Sequence, residues 1–227
     1  AVIVEPILGE GGIVPLPTSF YRALRAYCTQ HGIVLIADEI QTAMGRLGSL
    51  FYSASEGVDP DLTTLAKGLG GGMPISAVVG RADLMDAVGE GGIGGTYGGN
   101  AVCCASALAT LRVLKTTPLM SRVRELGALM SSRLNQWRER YPCVGDVRGA
   151  GLMQGVEFVA DRATKEPAKS LAQSVARFAH ERGLIVLLAG SHGNVIRLIP
   201  PLVLEVDQLK EGLDVLEAGI ATGSQVG

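Results

Sequence analysis

One lysine, Lys67, stands in LTTLAKGLGGG, after a short apolar run and before a cluster of glycines. A second segment, IVLIADEIQTAMGR, ends its apolar stretch in Asp38 and Glu39. An amine so placed can condense with an aldehyde. A carboxylate at the end of a neighbouring buried strand can keep an aromatic ring nitrogen protonated. Together they are what pyridoxal phosphate (PLP) chemistry requires, because the protonated ring then serves as an electron sink.

Each residue also has a plainer reading. Most lysines are ordinary surface residues. Against that, Gly68, Gly70, Gly71 and Gly72 remove side chains beside Lys67 and permit close backbone approach to a bulky ligand. Small and apolar surroundings are expected to strip water from the amine and draw its pKa toward the nucleophilic range. Asp38 follows five apolar residues, so it stands at a strand's carboxyl end, where ligands of open parallel sheets bind. Read alone, it is as well described as a strand-terminal capping acid.

Further candidates lie nearby. Gln41, three residues past Asp38, can donate to a ring oxygen, whereas Arg46 reads as a salt-bridge or loop residue. The stretch GGIGGTYGGN can bind phosphate through backbone N–H groups and the Thr96 hydroxyl, with a helix N-terminus close by; a flexible loop is the alternative. No GK[ST] follows, so a nucleotide P-loop is disfavoured. Glu10 sits in the glycine loop ILGEGG, and Arg197 interrupts the apolar strand NVIRLIPP. A buried strand arginine wants a carboxylate from protein or substrate; an edge-strand arginine facing water is the other reading.

Composition narrows the function classes. The 227 residues suffice for one domain or two modest ones. A net charge of -2 offers no basic face for nucleic acid or acidic membranes. No apolar run is long enough for a membrane span, and no signal peptide is visible. Cys28, Cys103, Cys104 and Cys143 lack CxxC spacing and make a poor zinc set and a poor disulfide framework, so no metal is expected and a cytoplasmic setting is.

The elements that must position these residues follow from periodicity. Val2–Val4 reads as a strand, and Pro17-Thr18-Ser19 starts a helix that Gly32 stops. Residues 33–37, 62–66 and 76–80 read as strands, the first buried on both faces of a parallel sheet. Asn100 is a good N-cap for the helix that follows. Beyond Pro118 come a long helix with Leu119, Val123, Leu126, Met130, Leu134 and Trp137 on one face, a strand pair or bent strand over 147–159, and a helix ended by Gly183. Two strands and a final helix complete the chain. The expectation is an α/β layer over 1–116 and an α+β small domain over 117–227.

Taken together, VEPILGEGG, IVLIADEIQTAMGRLG, DLTTLAKGLGGGMPISAVVG, GGIGGTYGGN, GDVRGAGLM and VIRLIPPL resemble, in order, the class III (omega) PLP-dependent aminotransferases. The similarity is greatest to bacterial 4-aminobutyrate aminotransferases. It implies fold-type I, with part of the large, mostly parallel-sheet PLP domain and a small C-terminal domain. It implies a homodimer, or a dimer of dimers, that shares its active sites. By position, Lys67 resembles the Schiff-base lysine and proton shuttle, Asp38 the partner of the pyridinium nitrogen and Gln41 the neighbour of the ring hydroxyl. Thr96 resembles the residue that reaches the phosphate of the other subunit's cofactor. Arg197 matches the arginine that clamps the α-carboxylate of glutamate and 2-oxoglutarate, and Glu10 the glutamate that pairs with it when an ω-amine is bound. Glu5 lies beside the family's site without an assigned role.

The implied reaction is transamination between an amino donor, 4-aminobutyrate, and a 2-oxo acid acceptor, 2-oxoglutarate. Other ω-amino acids (ornithine, β-alanine, 5-aminovalerate) and an aminomutase outcome are the alternatives. The chain resembles only the C-terminal part of such enzymes and opens directly into a strand. It is therefore expected to be a fragment, inactive alone; a non-catalytic truncated module is the reading from another class.

Overall fold

In a computed structural model, which describes residues 1–224, the chain divides into two units. The first comprises Ala1–Pro6 and Leu16–Met120, the second Ile7–Pro15 with the residues from Ser121 on. Strand β1 (Val2–Val4) starts the first unit. The chain then leaves it for the short hairpin β2 (Ile7–Leu8) and β3 (Val14–Pro15), which belongs to the second. Helix α1 (Thr18–Gln30) returns to the first unit and leads into β4 (Leu35–Asp38). There follow α2 (Tyr52–Ser55), β5 (Leu62–Leu65), a 3-10 turn over Lys67–Gly70, β6 (Ala77–Gly80), α3 (Ala82–Met85) and α4 (Ala101–Thr116).

The first sheet has the order β1-β4-β5-β6. β1, β4 and β5 run parallel, with Ala37 opposite both Val4 and Thr63, so their carboxyl ends share one edge. β6 returns antiparallel, which the sequence does not reveal. α1 covers this sheet with buried Tyr21 and Cys28, which pack with Leu35 and Val58. Asp61 fastens the opposite edge. Its carboxylate accepts from Leu35 N and Arg25 Nη1 at 2.8 Å and from Arg81 Nη1 at 2.9 Å. Burial pushes the Asp61 pKa up, but these donors outweigh it and hold it at about 2.

In the second unit, α5 (Leu119–Arg140) is followed by β7 (Val144–Ala150), β8 (Met153–Asp161), β9 (Glu166–Pro167) and α6 (Lys169–His180). β10 (Leu187–Ala189), β11 (Val195–Leu198) and α7 (Val206–Gly223) complete it. The sheet β10-β11-β8-β7 is antiparallel, with β9 paired to β8. Val156, Phe158, Ile196 and Leu198 bury one face under helices that contribute Leu126, Met130, Leu134, Val175, Leu213 and Leu216. Each such side chain contributes roughly 1.5–3 kcal/mol by leaving water. At Gly127 a Cβ would fall 2.6 Å from Gly151 Cα, so glycine lets α5 close onto the β7–β8 turn. Among the described residues, no helix is long and apolar enough to cross a membrane.

Candidate functional site

The parallel register brings Asp38 and Lys67 to the same edge. Asp38 is the last residue of β4 and stands opposite Thr64 of β5; Lys67 begins the turn after β5. Both hydrogen bonds to the half-buried Asp38 carboxylate fall on Oδ1, from Thr64 Oγ1 and from Ile40 N, each at 3.1 Å. Oδ2 accepts none among the described residues, so one oxygen is fixed and the other remains for an external donor.

Lys67 itself has φ 43°, a left-handed backbone for a residue with a side chain. Such strain costs about 1–2 kcal/mol and collects at functional positions. The turn packs against α4. Ser106 Oγ, on α4, donates to Gly70 O at 2.7 Å, and a Cβ at Gly71 would lie 2.6 Å from Thr110 Oγ1. A Cβ at Gly68 would meet Met44 Cβ at 3.1 Å, so the turn after β5 also touches the loop after β4. Gly68 and Gly71 thus serve close packing, whereas a Cβ at Gly72 would meet nothing within 4 Å. The expected enclosure of the amine by small and apolar groups is not what this unit has: Lys67 is exposed.

Glu39, beside Asp38, points the other way. It is 1 % exposed, and its carboxylate accepts from Tyr52 N at 2.6 Å, Ser53 N at 2.9 Å and Thr42 Oγ1 at 3.3 Å. It caps α2 and closes the loop that carries Gln41. Gln41 is half-buried in that loop, and its amide makes no hydrogen bond among the described residues. Arg46 lies in the same loop, and burial draws its guanidinium down to about 10.

Thr96 is exposed in the glycine-rich loop before α4 and is not brought against Lys67, Asp38 or Gln41 by any hydrogen bond among the described residues. The α4 N-terminus is partly taken already, since Asn100 Oδ1 accepts from Val102 N at 3.0 Å and Cys103 N at 3.2 Å. An anion there would have to use the loop.

The second unit brings Glu10 and Arg197 together. Arg197 lies on β11, between β10 and β8, so it is not an edge residue. Its Nη1 donates to Glu10 Oε1. The pair is lopsided: the arginine side chain is 12 % exposed and the glutamate 71 %. A mostly solvated carboxylate adds only about 0–1 kcal/mol to such a pair, yet the enclosed guanidinium still needs an anion.

Sequence reasoning passed over Arg148, in GDVRGAGLM. Its Nε donates to the carbonyls of Gly12 and Ile13 at 3.0 Å each, and its Nη2 to Gly12 O at 2.8 Å. These atoms belong to the turn that carries Glu10. An arginine between Val147 and Gly149 on a strand was the available signal.

The family model for class-III aminotransferases matches residues 1–220. The 5-aminovalerate aminotransferase of Pseudomonas putida is 45 % identical over 217 residues, which are 96 % of this chain and 51 % of that protein. The 4-aminobutyrate aminotransferase of Escherichia coli is 44 % identical over 217 residues, 95 % of this chain and 51 % of that protein. The crystal structure of a PLP-bound amine transaminase from an uncultivated Pseudomonas species superposes with a TM-score of 0.90 at 37 % identity, covering 98 % of this chain and 52 % of that one. The chain spans about half the length of the curated relatives it matches.

Proposed function

Because the chain belongs to the class-III aminotransferase family, we propose that the protein carrying it is a PLP-dependent ω-aminotransferase. Its donor is 4-aminobutyrate, or its longer homologue 5-aminovalerate; its acceptor is 2-oxoglutarate. The observation that carries this reading is the β4–β5 register, which aligns the ends of two parallel strands so that Asp38 and Lys67 share an edge. The oxygen of Asp38 left without a donor suits a protonated ring nitrogen, and the strained, well-anchored Lys67 turn suits an amine held for one task. The residues present therefore fit the cofactor, which when bound supplies the electron sink for breaking the substrate's C–H bond.

The chain's own groups divide the remaining work. Lys67 Nζ would hold the cofactor through its aldehyde carbon and would carry the proton at the substrate carbon. Asp38 would keep the ring nitrogen protonated, and the amide of Gln41 would donate to the ring hydroxyl oxygen. Thr96 would reach the phosphate of the cofactor held by a second copy, a role that suits an exposed loop residue with no hydrogen bond among the described residues. The working form is then a homodimer, or a dimer of dimers, in the cytoplasm.

On the substrate side, the two half-reactions pose opposite demands. An ω-amino acid brings no carboxylate beside its amine, so Glu10 covers Arg197. Glutamate and 2-oxoglutarate bring one, and Arg197 takes it as a charge-assisted pair once Glu10 turns away. Single-turnover measurements on the PLP-loaded protein test the proposal, with 4-aminobutyrate, 5-aminovalerate, β-alanine and ornithine as donors and 2-oxoglutarate and pyruvate as acceptors. Glutamate formed from 2-oxoglutarate and either of the first two donors is expected. No glutamate from any ω-amine would sink the activity, and conversion confined to ornithine or β-alanine would overturn the substrate.

A further inference from the structure

Arg148 and Arg197 occupy one row of the second sheet. Gly155 of β8 is the register partner of both, Arg148 on β7 and Arg197 on β11. Side chains of register partners project to one face, so two arginines flank a glycine, about 10 Å apart at two strand spacings. The Gly9–Ile13 turn lies over the gap: a Cβ at Gly155 would meet Ile13 Cβ at 3.1 Å, and Ile13 is fully buried. Each arginine takes a different part of that turn. Arg197 binds the Glu10 carboxylate, whereas Arg148 binds the backbone carbonyls of Gly12 and Ile13.

Arg148 is committed to this task. Its remaining nitrogen, Nη1, donates to Glu157 and, at 3.1 Å, to Asp146. Those carboxylates neutralise it, so it does not compete with Arg197 for Glu10. Three more backbone bonds fasten the turn: Gly12 N and Ile13 N to Gly9 O at 3.2 and 3.3 Å, and Gly190 N to Glu10 O at 3.0 Å. The Glu10 main chain is thus held on both sides, while its side chain extends into solvent.

We propose that Arg148 is a positioning residue for substrate exchange. It pins the turn backbone so that only the Glu10 side chain swings when Arg197 changes partner. This rests on the Glu10–Arg197 reading above. A fixed backbone matters because a carboxylate on a loose turn would spend little time over Arg197, and the uncovered guanidinium would disfavour the ω-amine half-reaction alone.

The test is a double-mutant cycle on the PLP-loaded protein, with each half-reaction measured in single turnover. Glu10→Gln is expected to slow the 4-aminobutyrate half relative to the glutamate half by about tenfold. Arg148→Lys keeps the charge but lacks the fork that reaches adjacent carbonyls, and is expected to shift the ratio the same way. In the Glu10→Gln background, Arg148→Lys should add nothing further. A ratio unmoved by Glu10→Gln overturns the exchange reading and the positioning role with it. A ratio moved by Glu10→Gln but not by Arg148→Lys, or effects that simply multiply, overturns the positioning role alone.

A second measurement needs no variant. Hydrogen exchange at the Gly12, Ile13 and Gly190 amides of the wild-type protein should change by less than about twofold when 2-oxoglutarate saturates it. Loss of protection by about tenfold or more would mean that the backbone moves, and would overturn the proposal.

Discussion

Thr64 Oγ1 donates to Asp38 Oδ1 at 3.1 Å across the β4–β5 register. With Ile40 N on the same oxygen, this bond orients the carboxylate proposed to meet the cofactor ring. Thr64→Val removes the donor while keeping the shape. PLP affinity is expected to fall about tenfold, the scale of one hydrogen bond to a charged acceptor, and Thr64→Ser should restore it. Equilibrium titration of the protein with PLP reads the result. Unchanged affinity in Thr64→Val would show that Asp38 needs no such support.

Asp38 and Glu39 are adjacent in sequence but differ in surroundings, half-buried in one case and buried against α2 in the other, which gives a paired prediction. Glu39→Gln keeps the shape but replaces one of the two oxygens that the Tyr52 and Ser53 amides use by an NH2 group, which cannot accept. It should lower stability toward urea by about 1–2 kcal/mol, as loss of a helix cap does. Asp38→Asn should leave the urea midpoint nearly unchanged and weaken cofactor binding instead. The opposite pattern would reverse the two assignments.

Acid stability follows from Asp61. Its folded pKa of about 2 lies below the ordinary carboxylate value of 3.8. The folded state therefore holds the charge more firmly, and this stabilisation is fully present above the unfolded value and lost as pH falls from about 4 toward 2. It contributes about 2 kcal/mol, since a tenfold change in proton affinity corresponds to about 1.4 kcal/mol. Asp61→Asn should show a flatter decline of stability over that window and lower stability at pH 7. A wild-type-like pH profile for Asp61→Asn would contradict the role given to its arginine partners.

Much of this arrangement was legible in the residues. The apolar run before Asp38, the helix between Pro17 and Gly32 and the cap at Asn100 each carry a local signal, and each element forms close to where that signal lies. The antiparallel return of β6 was not legible, because four residues of apolar strand look alike in either direction. Nor was the excursion of Ile7–Pro15 into the second unit, whose cause is long-range: Ile13 packs over Gly155, far along the chain. The same holds at the site. Lys67 and Asp38 were candidates from their flanks, each beside a plainer reading, whereas the carbonyls that Arg148 Nε meets lie 135 and 136 residues away in sequence, where no local signal shows them.

The central claim is that Lys67 holds the cofactor. The direct test is to incubate the protein carrying this chain with PLP, reduce it with borohydride and map the attachment by peptide mass spectrometry. A pyridoxyl group on Lys67, with none in Lys67→Ala, is the result predicted. Attachment to another lysine, or an unlabelled protein that stays colourless with PLP, would contradict it.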